Sequence, residues 1–155
     1  MTDYQTLTIL LGQSERQRDA AMVEHQRTQA ASEAAARQAE QLRSYRRDYE
    51  QRWSAQFCRE GKIELVHCYQ SFMERLTLAV DQQTRIAEHA AQQVERALGA
   101  LRDAELRCAS VRKLIERRVA EQRAATERRD QKQTDEAATR AAWARLGVTR
   151  PAALM

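Results

Sequence analysis

Apolar residues in the second half of the chain recur at steps of four and three. They begin Leu65, Tyr69, Phe72, Leu76 and Ala79, and after Gln83 continue Ile86, Ala90 and Val94. The series then runs Ala97, Leu101, Ala104, Cys108, Val111 and Ile115. Such spacing predicts the apolar seam of a coiled coil, and the two successive fours at 86–90–94 predict a stutter that unwinds it locally. A second series, Val66, Met73, Val80, Ala87, Val94 and Leu98, is spaced mostly by sevens and offers a rival seam.

The first half carries a sparser pattern. Tyr4, Leu7 and Leu11 follow Asp3, a fair N-cap, at helical spacing. An alanine-rich middle, AASEAAARQAEQ, leads to Leu42, Tyr45, Tyr49 and Trp53, again three or four residues apart. The expected organisation is one all-α hairpin over 1–146: helix 1 about 3–57, a bend at 58–62 around Gly61, and helix 2 about 63–145, with a tail at 147–155. A bend of about five residues favours an antiparallel pairing of the two helices. With the bend centred near residue 60, residue i faces roughly residue 119 − i. Both apolar ends of helix 1 then meet apolar partners: Tyr4, Leu7 and Leu11 against Cys108, Val111 and Ile115, and the aromatic end against Leu65, Tyr69, Phe72 and Leu76. Helix 1 runs out near residue 117, leaving the rest of helix 2 as a C-terminal helical overhang.

Composition agrees with this picture. Four glycines and one proline, Pro151, leave almost no turn punctuation in 155 residues, and aromatic content is 5%. Ala, Arg, Gln and Glu dominate, which suits long helices packed along stripes better than a globular core. No window reaches the roughly 18 apolar residues of a membrane span, and MTDYQTLTILLGQ lacks the basic opening of a signal peptide. Cys58, Cys68 and Cys108 form no C-x-x-C pair and read as reduced thiols of a cytoplasmic protein.

The residues carry no catalytic constellation. His25, His67 and His89 lie too far apart to act together, and His67, Cys68 and Cys58 lack a fourth ligand for a tetrahedral metal site. There is no glycine-rich phosphate loop and no nucleophile beside a base. No enzyme, no cofactor, no metal and no small-molecule substrate is expected. Charge is more informative. Residues 112–155 hold eleven basic and six acidic side chains, so the net +4 lies wholly in that stretch. Because Glu116, Glu121, Glu127, Asp130, Asp135 and Glu136 interrupt the cations, the pattern favours a solvated helix face over a nucleic-acid-binding run.

Three short patterns in order bring a resemblance. Leu42, Tyr45 and Tyr49 fit LxxYxxxY. Tyr69, Gln70, Phe72, Leu76 and Ala79 fit YQxFxxxLxxA. Asp130, Gln131, Lys132, Asp135, Glu136 and Arg140 fit DQKxxDExxxR. The chain thereby resembles the flagellar export protein family FliJ over most of its length. The resemblance implies a non-catalytic cytoplasmic component of the flagellar type III export apparatus, peripherally associated with the inner membrane at the flagellar base. It implies an antiparallel coiled coil like the stalk of rotary ATPases, whose two ends enter the hexameric export ATPase ring. It also implies contacts with the cytoplasmic domain of the membrane export gate and with export chaperones. The gate-contacting surface carries over as Gln38, Leu42, Tyr45, Tyr49, Phe72, Leu76, Ala79 and Gln83, the last standing where many relatives have a histidine. The ring-contacting set would be Tyr4, Leu7, Arg117, Arg118, Arg128, Arg129, Asp130, Gln131, Lys132, Asp135, Glu136 and Arg140.

Two helices cannot bury so broad an apolar face between them, because a two-stranded seam takes a narrow band. If the sevens supply the seam, the stripe of Phe72, Leu76 and Ala79 lies on a flank beside the tyrosines, and Tyr45, Tyr49 and Phe72 become a docking patch. Trp53 and Leu65 read as core. Three rivals stay open: the equivalent stalk of a virulence injectisome, a homodimeric structural coiled coil, and a basic-tail nucleic-acid binder.

Overall fold

A computed structural model describes residues 3–59 and 61–148. The fold is all-α: helix α1, Asp3–Phe57, is followed by helix α2, Ile63–Val148, and the two pack against each other. Among the described residues there is no strand. The chain divides into two compact units, one of Gln13–Cys108 and one joining the residues up to Gly12 with those from Ala109 onward.

In the larger unit the seam of α1 follows two series of sevens. One is Ser14, Ala21, Thr28, Ala35, Leu42 and Tyr49, and the other Arg18, His25, Ser32, Ala39, Arg46 and Trp53. Every one of them is buried or half-buried. On α2 the matching series are Tyr69, Leu76, Gln83, Ala90, Ala97 and Ala104, with Met73, Val80, Ala87, Val94, Leu101 and Cys108, again none of them exposed. These positions give an uninterrupted alternation of threes and fours from 69 to 108. The stutter expected at 86–90–94 is therefore absent from the seam. Ile86 is 48% exposed, and Ala87 takes the covered place beside it. Both expected stripes were half right: the sevens through Met73, Val80, Ala87 and Val94 supply one row, and Tyr69, Leu76, Gln83 and Ala90 of the first stripe supply the other. At 7% exposure Leu76 belongs to the core, not to a flank.

Small side chains are among the least exposed residues of the seam. Ala39 and Cys108 are each 1% exposed, Ala104 5% and Ala35 8%. Small residues let helix backbones approach, so Leu76, Val80 and Leu101 do most of the apolar burial, at about 1.5–3 kcal/mol apiece. Polar seam residues are satisfied locally. The Arg18 guanidinium turns to Asp19 at 3.0 Å, and the Thr28 hydroxyl donates to the His25 carbonyl at 3.0 Å. Across the seam Tyr49 packs on Phe72, where residue 70 was expected, and Gln38 bonds Gln83, where residue 81 was expected. The pairing therefore runs two residues beyond the expected register.

The bend closes without a left-handed glycine. α1 ends in a tightened turn in which the Arg59 amide donates to the Gln56 carbonyl at 3.0 Å, and Lys62 offers its carbonyl to the Val66 amide at 3.3 Å. The helices break at the stretch around Gly61, as expected, and among the described residues no glycine has a positive φ.

In the smaller unit the start of α1 lies along α2. Leu7 and Leu11 are half-covered, Val111 is buried, and Ile115 and Val119 are half-covered. An Arg118–Asp3 ion pair at 2.9 Å joins the two segments. Cover on α2 ends at Ala124, about two turns past the expected residue 117, because Asp3 and Tyr4 line a shallow groove with Gln122 and Ala125. From Ala125 to Gly147 every residue of the helix is exposed.

Candidate docking surfaces

The bend end of the larger unit gathers six aromatic rings. Tyr49 sits among them, its ring centroid 4.4 Å from Phe72, 5.9 Å from Tyr45, 5.8 Å from Trp53 and 6.4 Å from Tyr69. Trp53 lies 5.7 Å from Tyr69, and Phe57 meets Tyr69 edge-on at 5.2 Å. Tilted and edge-on pairs at such separations add to burial through the ring quadrupoles, so the cluster is a cohesive piece of packing. Burial raises the Tyr69 pKa above the ordinary tyrosine value, with the charges of Glu50 and Tyr49 acting in the same direction.

The residues assigned to gate contact divide by depth. Leu76 is buried; Leu42, Tyr49, Phe72, Ala79 and Gln83 are half-buried; Gln38 and Tyr45 are exposed, Tyr45 by 50%. A seven-residue helical wheel explains the split. In an antiparallel pair, the α1 positions one residue before Ala39, Arg46 and Trp53 border the α2 positions one before Met73, Val80 and Ala87. These are Gln38, Tyr45 and Arg52 on α1, and Phe72, Ala79 and Ile86 on α2. They form one flank of the seam, on which the Gln83 side-chain amide donates to the Gln38 carbonyl oxygen at 3.1 Å. The opposite flank is polar. There Arg43 donates to the Thr84 hydroxyl at 2.9 Å, and Thr84 donates to the Val80 carbonyl at 2.8 Å. Arg47, and more weakly Arg43, hold the Glu40 carboxyl below the usual carboxylate range on α1.

The apolar flank extends past the residues that the resemblance marks. Next to the Gln38–Gln83 pair lies a groove of about 280 Å³ between Thr28 and Ala31 on one helix and Ile86, Ala90 and Gln93 on the other. His89 and Arg27 stand at its rim. The Arg27 guanidinium is engaged by Glu24 through two hydrogen bonds of 2.8 and 3.1 Å. This stretch was missed in the sequence because Ile86 read as a seam residue. The signal that would have found it is the run of sevens in α1, whose polar and alanine members are silent in hydropathy.

The residues assigned to the ATPase ring lie in the smaller unit. Leu7 is half-covered and Tyr4 is 45% exposed. Arg118 is held by Asp3. Arg117, Arg128, Arg129 and Lys132 are exposed. Gln131 donates to Asp135 at 3.1 Å, and Arg140 faces Glu136 at 4.0 Å, so part of the DQKxxDExxxR pattern is helix-surface pairing one turn apart. Trp143 is 70% exposed.

Among the described residues no group of three or more His, Cys, Asp or Glu side chains could hold a metal ion, and no helix is long and apolar enough to cross a membrane. The grooves are open and shallow, suited to side chains of another protein more than to an enclosed small molecule. Compared with known proteins, residues 4–147 match the family model described as "Flagellar FliJ protein". No curated protein and no solved structure matches the chain.

Proposed function

This chain belongs to the flagellar FliJ family, a family of flagellar export-apparatus components, and from that premise we propose that it is the apparatus's non-catalytic stalk. The exposed stretch of α2, together with the start of α1, engages the hexameric export ATPase and promotes its assembly and activity. The aromatic flank beside Tyr45, Tyr49 and Phe72 docks on the cytoplasmic domain of the export gate. Export chaperones are further partners, and the protein works in the cytoplasm at the flagellar base.

The observation that supports this reading most directly is the helix that continues beyond its last covered residue. Twenty-odd exposed residues, about six helical turns, would be marginal in water as an isolated helix. That stretch itself holds five basic and four acidic side chains; the basic excess gathers just before it, with five basic and two acidic side chains in residues 112–124, and fits an acidic binding surface at the root of the exposed helix. Trp143 offers an aromatic anchor of the kind that carries binding energy at interfaces.

Binding to the cognate ATPase tests the charge argument. A variant with Arg117, Arg118, Arg128 and Arg129 all changed to Gln should bind at least about tenfold more weakly at moderate salt, and wild-type binding should itself weaken as salt rises. Undiminished binding by the neutralised variant would remove the charge from the explanation.

A further inference from the structure

We propose that the gate-docking surface continues past the Gln38–Gln83 pair into the Ala31–Ile86–Ala90 groove. This groove receives an apolar side chain from an acidic face of the gate's cytoplasmic domain, whose carboxylates meet Arg75 and Arg96. The proposal rests on the gate reading given above and adds residues and a charge preference to it.

Three observations converge. First, Phe72, Ala79 and Ile86 follow one another by sevens on α2, as Ala31, Gln38 and Tyr45 do on α1, so the groove lies on the same flank as the exposed tyrosine. Second, Ile86 remains 48% exposed although its neighbour Ala87 is covered, and the groove beside it is walled by Ala31 and Ala90. A branched aliphatic side chain held open beside two alanines has apolar surface to lose on docking, about 25 cal/mol for each Å² removed from water. The groove's volume of about 280 Å³ lies below the usual 300–1,000 Å³ of small-molecule sites, and its accessible lining is mostly apolar, with Arg27, Thr28, His89 and Gln93 bordering it.

Third, the α2 border of this flank is basic from residue 75 to residue 96. His89 lines the groove, and the α2 residues at the same helical position are Arg75, Gln82 and Arg96, with Asp103 two turns further on. Arg75 donates to the Ser71 carbonyl and hydroxyl at 3.4 Å, and among the described contacts neither Arg75 nor Arg96 has a carboxylate partner. On α1 the rim cation Arg27 is already matched by Glu24. Toward the bend, α1 adds Asp48 and Arg52, which are of opposite sign; around the groove the charge without a carboxylate partner is that of Arg75 and Arg96 on α2, which complements an acidic partner.

The test measures binding of the full chain to the purified cytoplasmic domain of the cognate export-gate protein. Ile86→Glu and Arg96→Glu should each weaken binding about tenfold or more, while Leu78→Glu, which alters a 67% exposed residue off this flank, should stay within about twofold. Wild-type binding with Tyr45→Ala weakened but Ile86→Glu and Arg96→Glu unchanged would overturn the extension and leave gate docking intact. No binding by the wild-type chain would overturn both. A wild-type dimer that Ile86→Glu converts to a monomer in light scattering would show that a second copy fills the groove, which also overturns the proposal. Should Ile86→Glu lose its helical circular dichroism, Arg96→Glu at its exposed position decides the matter.

Discussion

Individual side chains follow depth more closely than they follow hydropathy. Leu101 is 9% exposed and Leu78 67%, although both are leucines on the same helix. Leu101→Ala should therefore lower unfolding free energy by about 2–5 kcal/mol, and Leu78→Ala should change it by less than about 0.5 kcal/mol. Urea titrations followed by circular dichroism would separate the two, and equal effects would contradict the seam assignment. Tyr69 supplies a pH prediction. Burial favours its neutral form, so its pKa is higher folded than unfolded. Its stabilising contribution is complete below the unfolded value of 10.0 and is lost as pH rises through the folded value. Ultraviolet titration of the four tyrosines should show one ionising later than the rest, and Tyr69→Phe should abolish that late step.

At the scale of elements, the sequence carries the two helices in plain view and their contact only in part. Scarce glycine and proline, helix-forming composition and the three-four steps of α2 lead directly to an all-α hairpin, which the structure has. The seam was harder to read because α1 places Ser14, Arg18, His25, Thr28, Ser32 and Arg46 at covered positions. Their spacing is regular, but nothing apolar marks it. On α2 the eye follows Ile86, which is more apolar than the half-covered Gln83 and Ala87 but is itself exposed. The same polar seam predicts a stability reserve. Replacing His25 by Leu and Ser32 by Ala together should raise unfolding free energy by about 1–2 kcal/mol, a few degrees in melting temperature. A lowered melting temperature would show that the half-covered His25 or Ser32 makes contacts that an apolar side chain cannot replace.

For the molecule as a whole, the family was legible in three short helical patterns taken in order, and residues 4–147 match it. The site was less so. Periodicity could suggest that Tyr45 faces outward, but it could not separate the buried Leu76 from the half-buried Phe72, because both lie on one stripe until the second helix is placed. Nor could it reveal the groove beside Ile86, which exists only where Ala31 leaves room opposite. The basic excess after residue 111 was plain from composition, and the structure adds that the helix runs on past most of that excess, exposed from Ala125 to Gly147. The central claim is that this exposed helix acts on the export ATPase. The most direct measurement is ATP hydrolysis by the cognate ATPase alone, with the full chain, and with a chain ending at Ala124. The account predicts stimulation by the full chain and its loss in the shortened one, while both retain the helical circular dichroism of the paired segments. Equal stimulation by the two forms, or none by the full chain, would contradict it.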